Sequence, residues 1–565
     1  MTNDMIGEEY MENSRNRVRV FGIIVIVSTI LFVLKALIVT SISFSDESHQ
    51  IATAYRFFLG DRPLVDDWSS EQLHGVAILP FISTYAILKK STTGIVLFIR
   101  IIYLLIKFLV AVYGISKIRN SKSLAMYGIL LWYFFSPYNI DSLTYQSMPL
   151  IALMFCLIVI KREESSLVEW GISGGLYAVS ILSQPFWIIS YPLILLDEII
   201  KWKKSNKIEK YRIMMFQVGI GLIFLIFCVF LFSKTNLDEL RINIPYILGE
   251  QDHNVSNMGI DTLIYNKVWL VFSQFVCDNK IVTSINVIYI IALIVFKEKR
   301  EYLKVGMFIS LAISLFSMLF LKKLFLMNEM MIPFLWLALE NIFFVEESER
   351  KKYIKLIGLG ILFSIATALG TNTGVYATSA SLCLLACITL FYITISGTKK
   401  WNLHIETISM LFMVSMTLIL RLYITWAGAH ISMSDYMASL SYGPMKGLYT
   451  TTDLADEYEK IWTDITMLQP SGQDILFCGT STPLAYLDAE VEYGTMGTPF
   501  FQLNYDRMRN YFALHKEKIP TIIYYTEFTE DDRSMTAYYK WLQENYDIYS
   551  DGVNLIARRK SGMIE

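Results

Sequence analysis

The chain has 565 residues, of which 54% are hydrophobic and only 18% charged, where ordinary soluble domains carry about a quarter. That balance excludes a soluble globular enzyme, a disordered chain and a disulfide scaffold, and it predicts a polytopic membrane protein. Lys plus Arg number 49 and Asp plus Glu 51, a formal charge of −2, so no nucleic acid is expected as a partner.

A membrane helix needs roughly 20 mostly apolar residues. The first run, 20–42, follows an acidic stretch (Asp4, Glu8, Glu9, Glu12) and lacks a small-residue cleavage site, so it reads as an anchor. Further runs lie at 94–116, 123–138, 147–160, 168–183, 184–199, 212–233, 281–297, 304–321, 324–345, 354–370, 375–396 and 405–427. The fold class expected is therefore a polytopic α-helical membrane protein of about 13 transmembrane helices. The pair 168–183 and 184–199 is short and broken at Pro185, as two half-length or re-entrant helices would be.

With the N-terminus (1–19) in the cytoplasm, the clusters Arg15-Arg17-Arg19, Lys201-Lys203-Lys204, Lys297-Lys299-Arg300 and Arg350-Lys351-Lys352 all fall inside, as the positive-inside rule requires of a plasma-membrane protein. The membrane part then covers 20–429 with long outer loops at 43–93 and 234–280, and 430–565 is extracytoplasmic. In that tail, β-like runs at Asp474–Cys478, Thr521–Tyr525 and Val553–Arg558 alternate with polar helix-like stretches at 452–468, 505–515 and 532–546, the pattern of a small α/β domain. It is expected to cover a cavity and help select an acceptor. Cys156, Cys228, Cys383 and Cys387 sit in apolar runs. Cys277 and Cys478 fall outside, where a disulfide between them depends on the fold bringing them together.

The densest polar cluster follows the first apolar run: Ser43-Phe44-Ser45-Asp46-Glu47-Ser48-His49-Gln50. Adjacent carboxylates near a low-dielectric boundary are costly, and they are useful where a base or a cation site is needed. Asp46 is equally well placed to cap the helix that follows. Ile51, Ala54, Tyr55 and Phe58 make one apolar stripe, as in a helix lying in the interface. After the turn Gly60-Asp61-Arg62-Pro63, Asp66-Asp67-Trp68 lead into a second such helix through Leu73-His74-Gly75-Val76. The loop thus reads as two surface helices presenting carboxylates just above the bilayer.

This arrangement resembles the GT-C superfamily of membrane glycosyltransferases, in the branch of protein O-mannosyltransferases and aminoarabinose lipid A transferases. The resemblance rests on the Asp46-Glu47 pair after the first membrane helix, the helix ending at Gly60-Asp61, Arg100 at the next membrane helix, and Ser183-Gln184-Pro185 followed by Tyr191-Pro192. Where the family has lysine-proline-proline and lysine-glycine-proline, this chain has His74-Gly75-Val76 and Ser183-Gln184-Pro185.

The resemblance implies inverting transfer of a sugar from an undecaprenyl-phosphate donor to a cell-surface glycan, lipid or protein acceptor. It makes Asp46 the general base and Glu47 its partner, orienting the acceptor or sharing a divalent metal, the one cofactor considered. Such chemistry needs a base, cations for the leaving phosphate and a greasy groove for the isoprenoid. For the phosphate the candidates are Arg100, His74 and the turn lysines Lys322 and Lys323. The alternatives are an ion pair of Arg100 with a structural carboxylate such as Glu71, and lysines that only reach the headgroups. Asp66 and Asp67 are candidates for acceptor hydroxyls or for a turn. Gln184, Asn372 and Tyr376 are candidates for lining the cavity. Glu329, Glu340 and Arg421 are ionisable groups within apolar runs. Two other functions remain open: a polymerase or ligase using polyprenyl-diphosphate glycans, and a transporter or flippase of lipid-linked sugars.

Overall fold

The computed structural model describes residues 29–37, 46–117, 123–161, 164–204, 206–248, 260–318, 327–371, 374–392, 437–479, 483–498, 505–526, 536–550 and 554–560, with 27, 39, 415 and 435 singly. After a helical segment at 29–37 come α1 (Asp46–Leu59), α2 (Gln72–Lys89), α3 (Ile95–Lys117), α4 (Ser123–Phe134), α5 (Ser147–Lys161), α6 (Leu167–Ser183), α7 (Tyr191–Lys204) and α8 (Lys207–Phe232). Next are α9 (Leu237–Leu248), α10 (Ile260–Val276), α11 (Lys280–Val295), α12 (Arg300–Phe316), α13 (Ile332–Asn341), α14 (Glu347–Leu369) and α15 (Ser379–Tyr392).

Among the described residues, α3, α8 and α14 are long and apolar enough to cross a membrane, at 23, 26 and 23 residues. At about 1.5 Å per residue each exceeds a hydrocarbon core of about 30 Å. A fourth span is reached if α10 and α11, bent by 81° at their junction, count as one. This is fewer than the apolar runs lead one to expect, for local reasons. Several of those runs start with a turn of 3-10 helix, at Met327–Met331 before α13 and at Gly374–Thr378 before α15, which shortens the regular helix. Pro185 opens another, Pro185–Ser190, between α6 and α7. The run 405–427 and most of 20–42 lie outside the described residues. The described residues of the stretch 234–280 include α9 and α10.

The tail carries a β-pair, β1 (Ala438–Ser439) with β2 (Tyr449–Thr450), then α16 (Thr452–Leu468), β3 (Ile475–Gly479), α17 (Pro483–Ala489), β4 (Glu492–Tyr493), α18 (Tyr505–Leu514), β5 (Ile522–Tyr525), α19 (Thr536–Asn545), β6 (Tyr546–Ser550) and β7 (Leu555–Arg559). The sheet order is β4-β3-β5-β7-β6, with β4, β3 and β5 parallel and the other two pairings antiparallel. Central β5 is buried at every position, as a strand covered on both faces must be.

The first outer loop departs from the surface-helix expectation. From Glu47 to Phe57 every side chain of α1 is buried, the polar ones included. The tail covers the face that the apolar stripe leaves polar: His49 Nδ1 lies 2.8 Å from Thr498 Oγ1, and Thr53 bonds the same hydroxyl. Gly75 lets α2 approach α1, since a Cβ there would stand 2.8 Å from the Thr53 methyl and 3.0 Å from the Phe57 ring. Cys277 and Cys478 are both free.

Candidate active site

Asp46 opens α1; its side chain lies outside the described residues. Its neighbour Glu47 is buried and accepts two hydrogen bonds from Arg100 of α3, from Nε at 2.8 Å and Nη2 at 2.5 Å. Arg100 Nη1 donates to Val39 O at 2.9 Å. This is the bidentate fork that suits a guanidinium to a carboxylate. Arg100 thus pairs with Glu47.

One face of α3 continues the polar line, because residues at i, i+3 and i+7 align. Tyr103 OH lies 2.9 Å from Ser136 Oγ, which donates to Asp141 Oδ1 at 2.6 Å. Lys107, fully buried, donates to Phe135 O at 2.7 Å and to Tyr103 OH at 3.2 Å. Its ammonium faces the rings of Phe32, Tyr103, Trp132 and Tyr133 at 5.1 to 5.9 Å, a cation–π cage that substitutes for part of the lost hydration. Lys107 was visible in sequence as a charge inside an apolar run, seven residues after Arg100, and was not among the candidates.

His74 is completely buried, with Nε2 3.1 Å from Leu143 O and Nδ1 3.4 Å from Ser183 Oγ. Burial pushes its pKa down to about 4. The other expected cations, Lys322 and Lys323, lie outside the described residues, as do Asn372 and Arg421. Tyr376 is in the 3-10 turn Gly374–Thr378, its side chain outside the description. Gln184 ends α6 and is buried. Glu340 is buried and accepts from Ser310 Oγ at 3.2 Å; Glu329 is buried within the 3-10 turn before α13.

Asp66 and Asp67 belong to a separate buried ionic cluster. Arg56, fully buried, donates to Asp61 at 2.6 Å, to Asp67 at 3.0 Å, and to the carbonyls of Asp66 and Thr495 at 2.6 and 3.0 Å. Burial works against that charge, yet Asp67 and Asp61 outweigh it and hold the guanidinium protonated. Lys518 of the tail joins through Asp61 at 2.6 Å. Arg62 grips Asp66 with side chain and backbone; against the opposing effect of burial, these bonds keep the carboxyl below its usual range. This cluster joins the 43–93 loop to the tail.

Between α10, α14 and the turn before α15 lies a nearly all-apolar cavity of about 190 Å3, walled by Val271, Phe275, Ile361, Leu369 and Val375. Its polar end is Lys267, whose Nζ donates to Thr371 O at 2.6 Å. Thr371 directly precedes Asn372 in the sequence. Lys267 itself was not a candidate; one more lysine in an outer loop carries no distinguishing signal.

Comparison with known protein families and with curated proteins finds no match to this sequence. Among solved structures the chain is similar to ArnT from Cupriavidus metallidurans bound to undecaprenyl phosphate, at 10% identity over 97% of this chain and 98% of that one, with a TM-score of 0.38. It is likewise similar to the apo state of that ArnT, at 10% identity over 96% and 98%, with a TM-score of 0.34.

Proposed function

We propose that the protein is an integral membrane glycosyltransferase that moves a sugar from a polyprenyl phosphate to an acceptor on a cell-surface glycan, lipid or protein. The observation that carries this reading is the buried Glu47–Arg100 fork, which fixes the first turn of α1 and with it the backbone of Asp46. The apolar cavity ending in Lys267 has the character an isoprenyl phosphate requires, grease for the tail and a cation for the head. The sequence motifs around Asp46, Arg100 and Pro185 support the same reading.

In the proposed step the acceptor hydroxyl oxygen attacks the anomeric carbon and its proton passes to Asp46. The bond from that carbon to the phosphate oxygen breaks, and the polyprenyl phosphate leaves with the electron pair. One displacement inverts the anomeric centre and needs no covalent enzyme intermediate. Arg100 is a positioning residue that acts through Glu47. The phosphate is met by Lys267, with Lys322 and Lys323 as further cations. The N-terminus is cytoplasmic, and α1, with the tail 430–565 over it, faces the outer side.

Sugar analysis of surface glycans from cells lacking the protein, complemented at matched membrane levels, tests this. Wild type restores a missing sugar. Asp46→Asn does not, with the rate down roughly 10²- to 10⁴-fold when a general base is lost. Full restoration by Asp46→Asn would remove the base assignment, and an unchanged glycan in the deletion strain would remove the transferase reading.

A further inference from the structure

A second cluster lies at the seam between the first outer loop and the tail. Asp66, His515 and Glu517 each present one ligand-capable atom, and these atoms lie within 4.8 Å of one another. His515 Nδ1 is 3.6 Å from Asp66 Oδ1 and 3.6 Å from Glu517 Oε1. Asp66 and His515 are buried, while the Glu517 side chain is 60% exposed.

The other ring nitrogen decides the tautomer. His515 Nε2 lies 3.0 Å from Asn243 Oδ1. That atom is an oxygen because the Trp68 indole N–H, a donor only, points at it from 2.8 Å. Asn243 Nδ2 meanwhile donates to Glu239 O. An amide oxygen only accepts, so Nε2 carries the proton. In the neutral ring Nδ1 is then a lone pair, aimed from a buried position at two carboxylates that have no hydrogen to give. A cation placed among the three turns this repulsion into attraction.

Spacing and charge agree. Donors bound at about 2.0–2.1 Å around a tetrahedral ion stand about 3.3 Å apart, close to the two 3.6 Å separations. Arg62 is shared among Asp66, Glu239 and Glu517, so three negative charges meet one positive, and a divalent ion cancels the excess. The adjoining cluster is balanced without help: Arg56 and Lys518 face Asp61 and Asp67, with Glu492 only at its exposed rim. The bond from Nε2–H to Asn243 is the kind of outer contact that orients a metal-binding imidazole.

We propose that Asp66, His515 and Glu517 form a divalent-metal site that pins the tail to the first outer loop. Zinc is the ion best suited to one imidazole and two carboxylates, with the fourth position left to water. Exposed Glu517 gives the entry path, and as the ion takes Asp66 the guanidinium of Arg62 gives up its bonds to that carboxylate and keeps Glu239 as its partner. The proposal stands apart from the transferase reading, since none of its ligands belongs to the Asp46 site.

The test uses full-length protein in nanodiscs, stripped with a chelator and returned to chelator-free buffer. Zinc is titrated calorimetrically and bound metal is counted by mass spectrometry, with the visible spectrum of the cobalt-loaded protein reporting coordination. Wild type is expected to bind one tight equivalent and to show a tetrahedral cobalt band. His515→Gln and Glu517→Gln should bind at least 10-fold more weakly and lose the band. Glu517 is exposed, so Glu517→Gln remains folded even where the histidine variant does not. Less than one equivalent in wild type, or unchanged affinity in monodisperse Glu517→Gln, overturns the site and leaves a protonated imidazole between the two carboxylates.

Discussion

Arg56 shows what a single residue does here. It has no exposed surface and touches two carboxylates and two carbonyls drawn from the first outer loop and the tail. Truncating one partner of a buried ion pair leaves the other charged and dry, at about 3–5 kcal/mol. Arg56→Ala is accordingly expected to lower the melting temperature of the purified protein sharply. Lys201→Ala, which removes an exposed i,i+4 partner of Asp197, should cost no more than about 1 kcal/mol. Equal effects in differential scanning fluorimetry would contradict this ordering. Residue types were legible in the sequence and residue partners were not. A buried Arg100 announced that it needed an anion, but nothing local said that the anion would be Glu47, on a different helix. Arg56 carried even less signal, because its partners follow the turn at Gly60 or arrive from the far end of the chain.

Among the elements, α6 and α8 pack with backbones almost touching. A Cβ at Gly174 would run into the Phe216 carbonyl, and one at Gly219 into that of Gly171. Small residues at helix contacts are how membrane helices come this close. Gly219→Val should therefore destabilise the pair by about 1–3 kcal/mol or more, seen as a lower yield of monodisperse protein. Gly221→Ala, on the same helix with open space around it, should behave as wild type; parity of the two variants would refute the close contact. Strands β3 and β5 could be read from sequence because continuous apolar runs mark strands buried on both faces, and β7 from the β-like run Val553–Arg558. Strand β6 could not: Tyr546–Ser550 is five residues long and follows directly on a helix pattern. The apolar stripe of α1 was read correctly, while its polar face was assigned to water because the sequence of a loop does not say what folds over it.

At the scale of the whole molecule, the 43–93 loop, α9 and the tail are bonded to one another. Trp68 N donates to Met496 O, Tyr511 OH to Asp66 O, and Arg507 to the carbonyls of both Trp68 and Tyr246. Thr92 binds Glu490 through its amide and its hydroxyl. Removal of 430–565 would leave Arg56, Asp61 and Trp68 without the groups that bury them. The truncated protein is expected to aggregate on size exclusion even though its long apolar helices α3, α8 and α14 are intact; a monodisperse truncation would show that the outer loop holds itself. The Asp61–Lys518 bond spans 457 positions, which has a consequence for biogenesis. Translation at about 5–20 residues per second separates the two partners by roughly 20–90 s. Throughout that interval the nascent loop waits with Asp61 lacking its lysine and Arg56 lacking the Thr495 carbonyl. A chaperone or an anionic lipid surface that shelters unpaired charge would act in this window, and stop codons placed shortly before position 518 would yield chains that insert fully and are then degraded.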